Sequence, residues 1–170
     1  MELRKATTEE GQTALELLKE TAEWLKSIGS DQWSDVLKGE DKHGLIAAVK
    51  RGEVFFFYNN EKQLAGMVAA WQKPTEWDRL LWENIESSQK SCYLHRVIIR
   101  PRYRKAGYGK ELLNAVKVEF ENQVDELRLD CLASNQRLSR FYIENEFKHI
   151  GRSKNNTGVE FELFSYKLKK

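Results

Sequence analysis

Two cysteines and two prolines are all that the 170 residues contain of either type. No apolar run approaches the ~18–20 residues of a membrane span. Cys92 and Cys131 lie in separate apolar, strand-like stretches, which excludes a small disulfide scaffold and points to a reducing, cytoplasmic compartment. Residues 1–20 lack the apolar core and cleavage site of a signal peptide, so the expected protein is unprocessed. Net charge is nearly missing too: 28 Lys and Arg against 26 Asp and Glu leave +2, which excludes a surface that attracts nucleic acid everywhere.

What is present is a core. The chain is 41% hydrophobic and 11% aromatic, and a chain of this length buries about 68–70% of the surface its unfolded form exposes. One globular domain over residues 1–170 is expected, with no repeat, linker or low-complexity tract. The small net charge also hides a local excess. Between Arg96 and Lys110 stand Arg96, Arg100, Arg102, Arg104, Lys105 and Lys110 with no acid among them. Acids outnumber bases over the rest of the chain.

Periodicity orders the elements. Glu2 to Thr7 reads as a short strand, and a helix starting at Thr8 carries Leu15, Leu18, Ala22 and Leu25 to a stop at Gly29. A polar loop with Trp33 follows, then a short helix capped by Asp41 and closed by Gly52. Val54 to Tyr58 and Gln63 to Trp71 flank turn residues and predict an antiparallel hairpin. Beyond Pro74, Trp77, Leu81 and Ile85 fall on one face of an inserted helix starting at Thr75. In the next strand Tyr93, His95, Val97 and Ile99 alternate against Cys92, Leu94, Arg96 and Ile98 until Pro101. Leu112, Leu113, Val116 and Phe120 mark another helix, Glu126 to Leu132 a strand, Arg137 to Asn145 a helix, and Lys148 to Ser153 and Val159 to Leu168 the last strands. Apolar parity in that last strand changes from Val159, Phe161 and Leu163 to Phe164, Tyr166 and Leu168, which predicts a bulge near Leu163 and Phe164. The order is mixed α/β with a mostly antiparallel sheet.

The chemistry concentrates where the strand ending at Ile99 passes through a basic glycine turn into a helix. Gly107 and Gly109 remove two Cβ atoms, and the first N–H groups of the helix have no intrahelical acceptor. An anion supplies those acceptors, the helix dipole favours it, and the flanking Arg and Lys add charge, which together suggest a pyrophosphate. A P-loop would need glycine at Arg104 and Ser or Thr at Glu111; a dinucleotide fingerprint would need glycine at Leu112. Both are excluded.

The segment Ile99-x-Pro101-x-x-Arg104-x-x-Gly107-x-Gly109, followed by Asn135-x-x-Leu138-x-x-Phe141-Tyr142, resembles two motifs of the GCN5-related N-acetyltransferase (GNAT) superfamily in the right order. The order of elements fits that family over nearly the whole chain. Glu146 stands where the family usually has Gly before Phe147. The resemblance implies an α/β fold with a mostly antiparallel sheet of about seven strands, helices on both faces, and central strands splayed where acetyl-CoA enters. It implies that the backbone of Val97, Ile98 and Ile99 pairs with the pantetheine arm and that Arg104, Lys105, Ala106, Gly107, Tyr108, Gly109 and Lys110 hold the pyrophosphate. Asn135 would contact the cofactor, while the residue pattern fits a helix N-cap equally well.

Acetyl transfer to an amine needs a neutral amine, a donor to the developing oxyanion and a proton for the departing thiolate. By its match Tyr142 would give that proton, and the backbone N–H of Val97 or Ile98 would be the oxyanion donor. His95 suits a base, with an ordinary pKa near 6.5, and suits a structural strand histidine equally. His43 and His149 read as surface or structural. Cys92 and His95, three apart on a strand, point to opposite faces and form no dyad, and no ligand cluster supports a metal.

All five tryptophans, Trp24, Trp33, Trp71, Trp77 and Trp82, precede residue 90 and would wall an acceptor pocket. Glu76, Asp78, Glu83 and Glu86 in the insertion are expected first as a solvated helix face. The leading reading is an acetyl-CoA-dependent transfer to a small-molecule amine. Protein N-termini or lysines, and a non-catalytic acyl-CoA sensor, are the alternatives. No nucleic acid, membrane or metal is expected, and a homodimer is left open.

Overall fold

In the computed structural model the described residues are 1–30, 32–39, 41, 44–86 and 90–168. His43 lies outside them. The chain forms two compact units, each assembled from two stretches: Met1–Ala70 with His95–Ala115, and Trp71–Leu94 with Val116–Lys170. The strands run in the order β1-β2-β3-β4-β5-β7-β6. The pairs β1–β2, β2–β3, β5–β7 and β6–β7 are antiparallel and β4–β5 is parallel, giving the mixed, mostly antiparallel seven-stranded sheet that the pattern implied.

The first unit begins with β1 (Glu2–Lys5) and α1 (Gly11–Ser27). The helix starts three residues after Thr8, because Glu10 turns its carboxylate back to the Thr7 N–H at 2.8 Å and to Arg4. A single 3-10 turn at Val36–Lys38 precedes α2 (Leu45–Lys50). Asp41 caps α2 from a distance, accepting from the Leu45 N–H at 2.7 Å. β2 (Val54–Tyr58) and β3 (Leu64–Trp71) make the hairpin, and nearly every residue of both is buried. Continuous burial explains why VFFFY carries no polar alternation.

β4 (Ser91–Ile99) begins in the second unit and ends in the first, as α4 (Tyr108–Phe120) begins in the first and ends in the second. The second unit also holds α3 (Glu76–Trp82), β5 (Glu126–Leu132), α5 (Gln136–Glu144), β6 (Lys148–Lys154) and β7 (Glu160–Lys167). Thr75 and Asp78 cap α3 reciprocally, so Asp78 is 1% exposed rather than part of a solvated face, and Ile85 falls beyond the helix end.

The expected bulge is in a different strand. β7 pairs with β5 without interruption, and the extra residue sits in β6, where His149 faces Phe164 and Gly151 faces Leu163. β7 is an inner strand with apolar neighbours on both faces: Phe164 packs on Tyr142, and Phe161 on Trp77. The parity change therefore records a change in what covers the strand, not a flip of the strand.

Candidate active site

Residues 104–107 form an exposed turn between a 3-10 turn at Pro101–Tyr103 and α4. Lys105 (φ 68°) and Gly107 (φ 79°) both lie in the left-handed region. Glycine enters that region without strain, and a side chain at 107 would meet nothing within 4 Å. The space over the turn is open. Gly109 lies within the first turn of α4, whose leading N–H groups have no carbonyl one turn behind them. Tyr108 holds the turn against the unit, edge-on to Phe57 at 6.3 Å and tilted on Tyr103 at 5.8 Å.

The positive charge of residues 96–110 is less concentrated than the sequence suggested. Arg96 is buried, at 9% exposure. Arg100 is spent on Glu20, with bonds of 3.0 and 2.9 Å, and on the Leu64 carbonyl. Arg104 stacks on Trp24 at 3.7 Å. Arg102, Arg104, Lys105 and Lys110 remain exposed beside the turn. From α1 come the acid that pairs with Arg100 and the ring on which Arg104 stacks.

Just past β4 the Arg100 N–H donates to the Ala65 carbonyl at 2.8 Å, so the even-numbered positions at this end of the strand face β3. Strand alternation turns the N–H groups of Val97 and Ile99 to the opposite edge. The two strands are close: a Cβ on Gly66 would lie 2.4 Å from the Ile98 carbonyl oxygen, which requires glycine there. The registered β4–β5 ladder covers only Ser91–Tyr93 against Glu126–Arg128, while β5 goes on pairing with β7 as far as Leu132. His95 is half-buried just before Arg96, whose φ of 51° breaks the regular alternation expected of the strand.

In the second unit Tyr142 is 4% exposed within α5, among the rings of Phe141, Phe147 and Phe164 at 5.6–5.9 Å. Its hydroxyl has no hydrogen-bond partner among the described residues. Burial, with Cys131 and Asp130 nearby, pushes its pKa well above the ordinary phenol value, so it stays a proton donor at any physiological pH. Asn135 accepts from the Leu138 N–H at 3.0 Å, which makes it the N-cap of α5. Cys92 and Cys131 are buried and not joined in a disulfide, and burial pushes the Cys131 thiol up to about 11. The indole of Trp77 donates to Asp130 at 3.3 Å, and the Asp130 and Asp78 carboxylates approach within 4.8 Å. His149 pairs with Glu162 at 3.3 Å on an exposed strand, as expected of a structural histidine.

Sequence reasoning missed the burial of Arg96: it counted the side chain with a basic segment, although the alternation placed it on one face with the apolar Cys92, Leu94 and Ile98. A charged residue on an apolar strand face was the signal.

A parallel strand pair that stops short, and a left-handed turn that opens a helix, are features of acyltransferases that take their acyl group from a coenzyme A thioester. Residues 16–147 match the model of the acetyltransferase (GNAT) family, and the chain belongs to that family. An uncharacterized N-acetyltransferase, YesJ of Bacillus subtilis (strain 168), is 36% identical over 148 residues, which cover 86% of this chain and 81% of that protein. A GNAT-family acetyltransferase of Listeria monocytogenes 4b F2365 is similar in structure, with a TM-score of 0.79 and 34% identity over 98% of this chain and 94% of that one. A GNAT-family acetyltransferase of Streptococcus agalactiae 2603 shares the fold at the same TM-score of 0.79, with 17% identity over 99% of this chain and 96% of that one. The family uses acetyl-CoA. No helix among the described residues is long and apolar enough to cross a membrane.

Proposed function

We propose that this acetyltransferase moves an acetyl group from acetyl-CoA to the primary amine of a small molecule by direct attack on the thioester. The observation that carries the donor side is the exposed left-handed turn at Lys105–Gly107, open above Gly107 and leading into free N–H groups of α4. Residues 104–110 would hold the pyrophosphate there, through the backbone donors of the turn and helix start together with the exposed cations around them. The thioester supplies an acyl carbon already activated toward amines.

The protein's own residues then divide the work. The N–H of Val97, turned away from β3, donates to the acyl oxygen as negative charge develops on it. Val97, Ile98 and Ile99 offer their backbone edge to the pantetheine arm as a neighbouring strand would. The Tyr142 phenol gives its proton to the departing thiolate; its raised pKa and unengaged hydroxyl support that role. His95 takes the proton of the amine, directly or through water. Asn135 can meet the cofactor only with the donor groups that its capping bond leaves free.

The test is a panel of small amines with acetyl-CoA, read as free thiol released, beside calorimetric binding of acetyl-CoA. Gly107→Glu places a side chain in a left-handed position and an acid against the phosphates, and should abolish binding. Undiminished binding by that variant would remove the turn from the site. Binding without thiol release from any amine would favour an acyl-CoA sensor, and activity confined to peptides would move the acceptor to protein N-termini or lysines.

A further inference from the structure

Arg96 carries a guanidinium that is nine-tenths buried and unbonded among the described residues. Its Nε has no hydrogen-bond partner, and no ion pair or hydrogen bond to any of its nitrogens occurs among the described residues. Its one close companion is the ring of Trp33, with the guanidinium carbon 4.9 Å from the ring centroid. A guanidinium carries five N–H donors in its plane, so an aromatic ring on its face leaves the edge donors unused. Burying such a group without a partner is costly, and the cost is compounded by backbone strain at both ends of the stack. Arg96 sits at φ 51° in the middle of a nine-residue strand, and Trp33 at φ 60°. Residues held in this region without glycine cluster at ligand sites, where the surroundings force them.

The charges around Arg96 narrow what it receives. Burial pulls its pKa down and the nearby Asp35 and Asp41 push it back up, so it remains a cation. Neither acid is bonded to it. Asp41 is committed to α2, accepting from the N–H groups of Leu45 and Ile46 at 2.7 and 3.3 Å. A phosphate dianion brought to Arg96 would be repelled by both acids, whereas a carboxylate carries half that charge and matches the planar fork of N–H donors. The same acids attract an ammonium group carried beside the carboxylate. Arg96 also directly precedes Val97, whose N–H is assigned above to the acyl oxygen.

We propose that Arg96, backed by Trp33, is the carboxylate anchor of the acceptor, and that the amine acetylated belongs to an amino-acid-like molecule. The inference rests on the acetyl-transfer reading, because it places the carboxylate next to the residue that handles the acyl group.

The experiment compares amino acids with their matching primary carboxamides as acceptors, in the parent protein, Arg96→Gln and Arg96→Lys, with thermal midpoints on the same preparations. For the best acceptor pair, the acid should exceed the amide by on the order of 10² in kcat/KM in the parent, since an amide leaves the buried guanidinium unpaired. That ratio should collapse to about one in Arg96→Gln and keep an intermediate value in Arg96→Lys, which retains charge but loses the fork. A ratio near one in the parent, or a ratio that survives Arg96→Gln, overturns the proposal and leaves acetyl transfer standing. If no amine is acetylated, the acetyl-transfer reading fails, and N-acetylglycine is titrated against the 15N-labelled protein. Movement of the Arg96 Nε–H resonance would then keep the carboxylate site, and its absence would refute that as well.

Discussion

Two arginines are buried in this protein, one in each compact unit, and both lie against a tryptophan. Arg128 is fully buried, 4.3 Å from the Trp82 ring, and although its Nε makes no hydrogen bond, it is paired: Nε lies 3.1 Å from the Glu126 carboxylate, and its other nitrogens donate to the Glu86 carbonyl and the Tyr93 hydroxyl. Glu126 is in turn held by Ser91, Ser165 and Lys167. Arg96 has the same kind of aromatic backing and none of the polar partners. A buried charge enclosed in a network of its own is part of the architecture. One outside any such network is where the proposed carboxylate would dock.

The sharpest way to break this contrast is to delete both guanidiniums. Arg128→Met takes from Glu126 its buried cationic partner, leaving Lys167 and two hydroxyls, and should cost about 3 kcal/mol, read by denaturant unfolding. Arg96→Met removes a buried charge that makes no hydrogen bond or ion pair among the described residues, so its stability should stay within about 0.5 kcal/mol of the parent or rise. Equal losses in the two variants would mean that Arg96 has a structural partner after all.

The two buried tyrosines repeat the contrast in a reaction rate. Tyr142→Phe removes a hydroxyl that no described residue uses, so turnover should fall by roughly 10²–10⁴-fold with the thermal midpoint nearly unchanged. Tyr93→Phe removes a hydroxyl that accepts from Arg128 at 3.4 Å, and should lower stability by about 1 kcal/mol while sparing turnover. Reversed outcomes would exchange the roles of the two residues. His95→Ala sharpens the proton side: the loss of a base should be relieved at high pH, where the amine is already neutral, and the loss of a structural histidine should not.

Smaller effects are expected at the ends of α5. Asn135→Ala should cost about 1 kcal/mol from the lost cap. Glu146 stands at φ 71° just after the helix, in the position where the family usually has glycine, so Glu146→Gly should gain about 0.5–1 kcal/mol in thermal unfolding. A loss there would show that the 3.9 Å contact with Lys117 outweighs the strain.

The order of elements was legible because buried strands such as VFFFY and amphipathic helices carry their environment in their pattern. The turn was legible because left-handed backbone and free N–H groups demand Gly107. What one-dimensional pattern could not carry was the identity of each layer's neighbour. Phe164 looked like a parity error because nothing in β7 announces that α5 covers its second face. Arg96 looked like one more surface cation because the ring that stacks on it comes from 63 positions earlier in the chain. Asn135 was readable as a cap or as a cofactor contact, and its bond to Leu138 establishes the first role without using its side-chain amide donors.

The sheet ends in β1 at one edge and β6 at the other. β1 has only four residues, and β6 reads Lys-His-Ile-Gly-Arg-Ser-Lys, with a register slip in its middle. A free edge strand is a template for another chain, and short length, irregularity and like charge all spoil that template. Two copies meeting through β6 would bring Lys148, Arg152 and Lys154 against their own kind. The protein should therefore resist strand-to-strand aggregation at high concentration. Neutralising those cations, rather than loosening the core, is the change that should make it fibril-prone.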